Sequence, residues 1–262
     1  MKKSFPLVSA AAVSLLLLTG ASAFGQTTNQ TVNPATVPVS RSSSHWVAHH
    51  EQLMKEAKND RIDLLFVGDS ITDFWRSPAP RFGTNLWAKY YAPLYAADFG
   101  ISGDRTEHVI WRIDQGELDG LHPKVTVLMI GTNNSRDNSP EQIAGGIRVI
   151  LDKIQEKCPD TKILLLGVFP RNRTNDIAAQ IEAPAKINAI ISKYADGKKI
   201  VYLNINDQFL GPDGKVPLDI MPDSLHPNQH GYQLWADAMN PTLYEMMGVS
   251  ANSDGTAKTG RP

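Results

Sequence analysis

A carboxylate and an imidazole lie three residues apart near the C-terminus of the chain, at Asp223 and His226. Far upstream, an apolar run ends in Gly68-Asp69-Ser70, so that a serine hydroxyl follows a predicted buried strand. Nucleophilic catalysis by serine needs a base to take the hydroxyl proton and an acid to orient that base. Asp223 can accept a hydrogen bond from His226 Nδ1, which leaves Nε2 free to take the proton of Ser70. These residue types and their spacing therefore indicate acyl transfer through a serine.

The loop around His226 supports this interpretation, because Pro227 disfavours the α conformation at the preceding residue and suits the first position of a helix. The spacing alone also permits a surface Asp/His pair that caps the helix. Ser70 alone could likewise be a residue that only caps a turn. The sequence decides between these alternatives only if further residues of the same chemistry converge on Ser70.

Two such residues are Gly103 and Asn133, which are candidate donors to the oxyanion that acyl transfer develops. A glycine lets its N–H approach a ligand closely, and an asparagine amide donates without competing as a base. With the N–H of Ser70 they would place three donors around one oxygen. The alternative is that Gly103 and Asn133 are ordinary loop and turn residues.

Alternating strands and helices are predicted to position these side chains. Apolar runs occur at 62–67, 94–99, 125–130, 162–168 and 199–204, and amphipathic helical patterns at 45–58, 106–117, 140–157, 176–196 and 228–247. This alternation predicts a parallel sheet covered by helices on both faces. Ligands bind beyond the carboxyl ends of such strands. Ser70, Gly103 and Asn133 each follow one of the predicted strands, so we expect them at one edge of the sheet.

Four sequence blocks, in this order, resemble those of the SGNH or GDSL hydrolases: Gly68-Asp69-Ser70, Gly103, Gly131-Thr132-Asn133 and Asp223-x-x-His226. The wider sequence is similar to the catalytic subunits of platelet-activating-factor acetylhydrolases. The resemblance implies a three-layer α/β/α, flavodoxin-like fold with a five-stranded parallel sheet. It also implies a Ser70, Asp223 and His226 triad, an oxyanion hole of Ser70, Gly103 and Asn133, and a homodimer. Thr72 replaces the second glycine of a Gly-x-Ser-x-Gly elbow, which argues against an ordinary α/β-hydrolase.

The ends of the chain predict export. Residues 1–23 have a positive start, a short apolar stretch and an Ala-Ser-Ala cleavage pattern, as in a signal peptide, although an uncleaved anchor is the alternative. Residues 24–44 are predicted to be a flexible linker, 45–249 the hydrolase domain and 250–262 a disordered tail. We therefore expect a periplasmic or extracellular protein with no stable membrane span after processing.

The composition excludes other classes of function. A formal net charge of −1 without a long basic run argues against nucleic-acid binding. Cys158 is the only cysteine, so an intramolecular disulfide is excluded, and we interpret it as a structural thiol rather than a nucleophile. His45, His49 and His50 lack the partners of a metal site. We expect neither a metal nor an organic cofactor.

Other polar and aromatic residues near the predicted site have structural interpretations. Asp104 and Arg105 are expected to form a structural pair, with substrate contact as the alternative. An aromatic-rich stretch follows the nucleophile, and we expect most of it in the core and one or two rings in a substrate cleft. Its members are Trp75, Phe82, Trp87, Tyr90 and Tyr91.

These observations together predict an exported serine ester hydrolase that removes short acyl groups, with acetyl the expected group because of the resemblance. Export favours a small-molecule or polysaccharide ester, such as an O-acetylated carbohydrate or envelope component. A lipid or lysophospholipid esterase is the alternative within the enzyme class. A noncatalytic carbohydrate- or envelope-binding protein on the same scaffold is the alternative of another class.

Overall fold

Five short strands form the centre of the computed structural model, which describes residues 1, 32–59, 61–79, 81–171 and 177–259. They are β1 Leu64–Gly68, β2 Ala96–Gly100, β3 Val125–Met129, β4 Lys162–Leu166 and β5 Ile200–Leu203. All neighbouring strands are parallel, in the order β2-β1-β3-β4-β5. This is the flavodoxin-like order. The predicted fold class and all five predicted strands are therefore confirmed.

Helices cover both faces of the sheet. They are α1 Ser44–Asn59, α2 Ser70–Asp73, α3 Thr84–Tyr90, α4 Thr106–Asp114, α5 Pro140–Lys157, α6 Ile177–Ile191 and α7 Gln229–Met247. Alternate residues of β1 face opposite sides, with Leu64 and Phe66 in one apolar core and Leu65 and Val67 in the other. The first core lies under α3 and α7, and the second under α1, α4, α5 and α6. In the described ranges, no helix is both long and apolar enough to cross a membrane.

The second strand begins later than predicted. Leu94 ends a 3₁₀ turn, and Tyr95 then adopts a left-handed conformation with φ of 55° before β2 starts at Ala96. The short helix α3 lies within the aromatic stretch and was not predicted, because its few residues give too little hydrophobic periodicity to separate it from a loop.

The predicted linker is different in the structure. Residues 2–31, and with them nearly all of the predicted signal peptide, lie outside the described residues. From Val32 onward, however, the chain packs on the domain instead of forming a flexible tether. Ala35 is fully buried and its carbonyl accepts the hydroxyl of Thr106 at 2.8 Å. Asn33 donates to the Gln142 carbonyl at 2.9 Å, so polar groups rather than an apolar stripe hold this segment.

The predicted disordered tail also folds back, at least as far as residue 259. An antiparallel bridge joins Ala251 and Ala257, and the latter is buried. The hydroxyl of Tyr244 on α7 donates to the Gly255 carbonyl at 3.2 Å. Backbone hydrogen bonds and one small apolar contact therefore order a segment whose composition is typical of disorder.

Candidate active site

A tight turn at the end of β1 presents Ser70. Asp69 caps α2, and its carboxyl accepts the Ile71 N–H at 3.0 Å. A Cβ added at Gly68 would lie 2.1 Å from Thr72 Oγ1 and 2.5 Å from the Met129 carbonyl oxygen, so only glycine fits there. The turn therefore places Ser70 at the first position of α2, directly beyond the carboxyl end of a buried strand.

The structure brings Ser70, His226 and Asp223 into one hydrogen-bonded chain. Ser70 Oγ lies 2.9 Å from His226 Nε2, and His226 Nδ1 lies 2.6 Å from Asp223 Oδ2. The other carboxylate oxygen of Asp223 accepts the N–H groups of His226 at 2.8 Å and Leu225 at 3.1 Å. This is the geometry that a nucleophile, a base and an orienting acid require.

The carboxyl of Asp223 is held in its ionised form. Partial burial raises the pKa of Asp223. Hydrogen bonds from the backbone and imidazole of His226 and from the Leu225 N–H lower this pKa by more than burial raises it, so the pKa of Asp223 is below its ordinary value. An ionised acceptor at Nδ1 favours the tautomer in which Nε2 has a free lone pair toward Ser70.

The two predicted oxyanion donors lie on the adjacent loops after β2 and β3. Gly103 has φ of 83°, a left-handed conformation that favours glycine. Asn133 Nδ2 donates one proton to the Asp104 carbonyl at 2.8 Å. Its second proton has Asp69 Oδ2 nearby, at the long distance of 3.4 Å. The amide is thus oriented by the loop that carries Gly103, with one proton weakly engaged.

The loop that carries Gly103 is held from both sides. Arg41 Nη1 donates to the Ser102 carbonyl at 2.8 Å. The N–H and hydroxyl of Ser102 donate to Asp73 Oδ2 at 3.1 and 2.5 Å. Because the Ser102 carbonyl and the Gly103 N–H belong to one planar peptide and point in opposite directions, Arg41 also fixes the direction of that N–H. The sequence analysis missed Arg41, since it lies in the segment predicted to be a linker.

Asp69 is a buried acid beside the candidate nucleophile. Burial raises its pKa to about 7, the Ile71 N–H opposes this, and the nearby charge of Asp104 adds to it. The carboxyl reaches both the α2 turn through Ile71 and the Asn133 amide. Its protonation state is therefore coupled to two parts of the candidate site.

Asp104 and Arg105 do not pair with each other, in contrast to the expectation. Asp104 is fully buried and accepts hydrogen bonds from Arg112 at 2.9 Å and Trp46 Nε1 at 2.7 Å. Arg105 instead donates to Asp137 at 2.8 Å. Asp104 and Arg105 therefore each make structural contacts, but with other partners than each other. Spacing along the sequence could not identify the partners of Asp104, which α1 and α4 supply.

The aromatic stretch lies almost wholly in the core, as expected for most of its members. Trp75, Phe82, Trp87, Tyr90 and Tyr91 are all buried. The ring that reaches the site is instead Phe74, whose centroid lies 4.9 Å from that of His226. Phe74 follows Ser70 by four residues, and this helical spacing was the signal that could have identified it.

The described residues offer no obvious place for a metal ion. Within those ranges, no group of three or more His, Cys, Asp or Glu side chains is arranged to hold one. The site that the geometry does assemble contains a hydroxyl, an imidazole, a carboxylate and neutral N–H donors. These groups can perform acyl transfer by nucleophilic attack.

Comparisons with known proteins agree with this chemistry. Residues 66–234 match the model of the GDSL-like Lipase/Acylhydrolase family. The chain is 34% identical, over 223 residues, to human platelet-activating factor acetylhydrolase IB subunit alpha2, and the match covers 82% of this chain and 92% of the relative.

Solved structures share the fold. A GDSL-like lipase from Bacteroides thetaiotaomicron has a TM-score of 0.59 at 19% identity, with 76% of this chain and 98% of that chain covered. An acetylxylan esterase from Geobacillus stearothermophilus has a TM-score of 0.52 at 17% identity, with 71% and 93% covered. From the family match and the sequence relatives together, the chain belongs to the GDSL-like lipase/acylhydrolase family and is an ester hydrolase.

Proposed function

We propose that this ester hydrolase uses Ser70 as its nucleophile, His226 as its base and Asp223 as the acid that orients the base. The observation that carries the proposal is the continuous hydrogen-bonded chain from Ser70 Oγ through the imidazole to Asp223, with distances of 2.9 and 2.6 Å. Each distance is within the range for direct proton transfer or orientation.

In the proposed reaction, Ser70 Oγ attacks the ester carbonyl carbon while His226 Nε2 takes the hydroxyl proton. The tetrahedral intermediate collapses, its carbon–oxygen bond to the alcohol breaks, and His226 gives the proton to the leaving alcohol. His226 then takes a proton from water as the water oxygen attacks the carbonyl carbon of the acyl-enzyme. The second tetrahedral intermediate collapses, its bond to Ser70 Oγ breaks, His226 returns the proton to Ser70 Oγ, and the acid is released. Asp223 stabilises the imidazolium in both halves of the reaction.

The oxyanion is proposed to lie among the N–H groups of Ser70 and Gly103 and the side-chain amide of Asn133. Ser70 begins a helix, so its N–H is not needed for an intrahelical hydrogen bond. Arg41 holds the peptide that contains the Gly103 N–H, and Asp73 holds the N–H and hydroxyl of the preceding residue, Ser102. Donors fixed in this way need little reorganisation when the charge develops, which is the source of their catalytic effect.

We further propose that the acyl group is short and that the substrate is an O-acetylated carbohydrate or envelope ester met after export. The composition of residues 1–23 and the polar surroundings of the site support this choice. A lipid or lysophospholipid ester is the second candidate, because the curated relative at 34% identity is named as a platelet-activating factor acetylhydrolase. A noncatalytic binding role has less support, because binding alone needs no aligned triad.

Replacement of the nucleophile tests the mechanism. Ser70→Ala should abolish hydrolysis of p-nitrophenyl acetate, because no other hydroxyl among the described residues is hydrogen-bonded to His226, and should leave the melting temperature nearly unchanged. Ser250→Ala, at an exposed serine, is the matched control and should retain full activity. Turnover by Ser70→Ala at the wild-type rate would exclude Ser70 as the nucleophile.

A further inference from the structure

A polar groove lies beside the candidate active site between α1 and the segment that follows Ser70. It has a volume of about 460 Å³ and is open to solvent on one side. Its lining includes the polar His45, His49, Gln52, Asp73 and Arg76 and the apolar Ala48, Phe74 and Pro78. We call this feature the polar groove. Neither the proposed triad nor the proposed oxyanion hole uses it.

The groove adjoins the candidate active site through Phe74, although neither Ser70 nor His226 lines it. Asp73 and Phe74 follow Ser70 by three and four residues, so they extend from the same side of the α2 turn. The Phe74 ring packs on the His226 ring with centroids 4.9 Å apart. In the proposed mechanism His226 protonates the departing alcohol, so the alcohol part of the ester must lie on the imidazole side. The polar groove is therefore in the right place to receive that part.

A narrower cavity of about 140 Å³ continues the groove inward and shares His49, Gln52, Asp73 and Arg76 with it. Asp98 of β2 lines this cavity and is 4% exposed. Its Oδ1 accepts the Gly100 N–H at 2.9 Å. Its Oδ2 has no hydrogen-bond partner among the described residues. Such an unpartnered buried oxygen in the cavity wall would gain a hydrogen bond from a ligand hydroxyl that reached it.

The groups around the cavity are suited to neutral polar ligands. Burial raises the pKa of Asp98 well above its ordinary value, although the Gly100 N–H opposes this, and the protonated form of a carboxyl donates as well as accepts. Burial also lowers the pKa of His49, although Asp73 opposes this, and a neutral imidazole has one donor and one acceptor. Arg76 pairs with Glu56 at 2.8 Å. The cavity lining thus contains both donors and acceptors, and Phe74 lines the outer groove.

We propose that the polar groove binds the alcohol part of the substrate and that this part is a polyhydroxylated compound such as a sugar. Hydroxyl groups would meet His49 and Gln52 along the wall and Asp98 at the inner end, while the ring face of Phe74 would cover the apolar face of the sugar. An alkyl chain in the same place would leave these polar groups without partners, which is costly. This inference rests on the proposed ester hydrolysis at Ser70.

The first test changes the wall of the groove. His49→Leu and Gln52→Leu are compared with Glu51→Leu, a matched control at an exposed neighbour that does not line the groove. The substrates are acetylated xylotriose and p-nitrophenyl acetate, whose alcohol part has no hydroxyl groups to bind. Each groove variant should lower kcat/KM for acetylated xylotriose by about five- to tenfold. The effect on p-nitrophenyl acetate should be several-fold smaller, and the control should match the wild type on both.

The second test changes the inner end. Asp98→Asn keeps an acceptor for the Gly100 N–H and an N–H donor, whereas Asp98→Leu removes both. The leucine variant should therefore lose at least about tenfold more kcat/KM on acetylated xylotriose than the asparagine variant. Melting temperatures show whether each variant is folded. If Asp98→Leu does not fold, the wall variants still decide the proposal.

Three results would overturn the proposal in distinguishable ways. Equal losses on both esters, or no loss on either, would show that the groove does not bind the alcohol part. A wild-type preference for an acetylated ether glycerophosphocholine over acetylated xylotriose would exclude a sugar as the alcohol. A wild type inactive on both short-chain esters would overturn the proposed short-acyl function, and the groove assignment with it.

Discussion

Asp69 links the α2 turn to the Asn133 amide, and the burial of its carboxyl predicts how the stability of the protein depends on pH. The unfolded carboxyl has an ordinary pKa of 3.8, whereas burial raises the folded pKa to about 7. Between these values the folded protein keeps a proton that the unfolded chain loses, so the contribution of Asp69 to stability falls as the pH rises from about 4 to 7. Above pH 7 both states are ionised, and the contribution becomes constant.

Asp69→Asn should remove this dependence, because the amide keeps an acceptor for the Ile71 N–H and carries no charge. The free energy of unfolding of the variant relative to the wild type should therefore rise by a few kcal/mol between pH 4 and 7 and then level off. Urea unfolding of both proteins at a series of pH values measures the difference. A difference that stays constant with pH would mean that Asp69 is ionised at low pH in the folded protein.

Individual residues differ in how far the sequence could predict them. Ser70, His226 and Asp223 were predicted together because Gly103 and Asn133 follow neighbouring strands and the four blocks occur in the family order, and the structure brings the three residues together. Phe74 was not predicted, although its spacing of four residues from Ser70 was a usable signal. Asp98 was not predicted, because an acid in a strand gains its proposed role only from the cavity that α1 helps to line, and no pattern in the sequence links the two.

Among the elements, the strands and the long helices were predictable and the segment that precedes α1 was not. The strands are nearly continuous apolar runs, and Ser139 with Gln142 forms the predicted cap of α5. Residues 32–44 have no period of any kind. Asn33 and Arg41 of this segment donate to backbone carbonyls on α5 and the Gly103 loop, and the Thr106 hydroxyl of α4 donates to the Ala35 carbonyl. Contacts of that type leave no regular signal in a sequence.

Within this segment, we expect Arg41 to act as a positioning residue for the Gly103 N–H. Arg41→Gln should lower kcat for p-nitrophenyl acetate by about tenfold with little change in KM, because the Gly103 N–H would lose its fixed direction before the oxyanion forms. Arg41→Lys keeps a donor and should restore part of kcat. Arg148→Gln, which breaks a surface pair with Asp152, is the control and should leave both constants unchanged.

Steady-state kinetics and melting temperatures separate this role from a structural one. A purely structural role would lower the melting temperature of Arg41→Gln and leave kcat of the folded fraction intact. A change confined to KM would instead indicate that Arg41 contacts the substrate directly.

At the scale of the whole molecule, stability depends on two apolar cores, since the single cysteine excludes an intramolecular disulfide. Cys158 lies at the C-terminal cap of α5 in the core beneath α1, α4, α5 and α6, and it is 1% exposed. Burial raises the pKa of its thiol to about 11, and Asp119 adds to this while Lys157 opposes it. A thiol that is both buried and protonated reacts slowly with disulfide reagents.

Cys158 should therefore report the opening of the whole domain. At pH 8 without denaturant, we expect 5,5′-dithiobis(2-nitrobenzoate) to label it at least about 10³-fold more slowly than it labels the urea-unfolded chain, because labelling must wait for rare opening of the core. The rate should rise with urea in parallel with the loss of helical circular dichroism, and Cys158→Ala should show no labelling. Fast labelling of a protein with a native spectrum would instead indicate local opening where α5 meets the start of β4. That region would then be less stable than the sheet that carries the candidate active site.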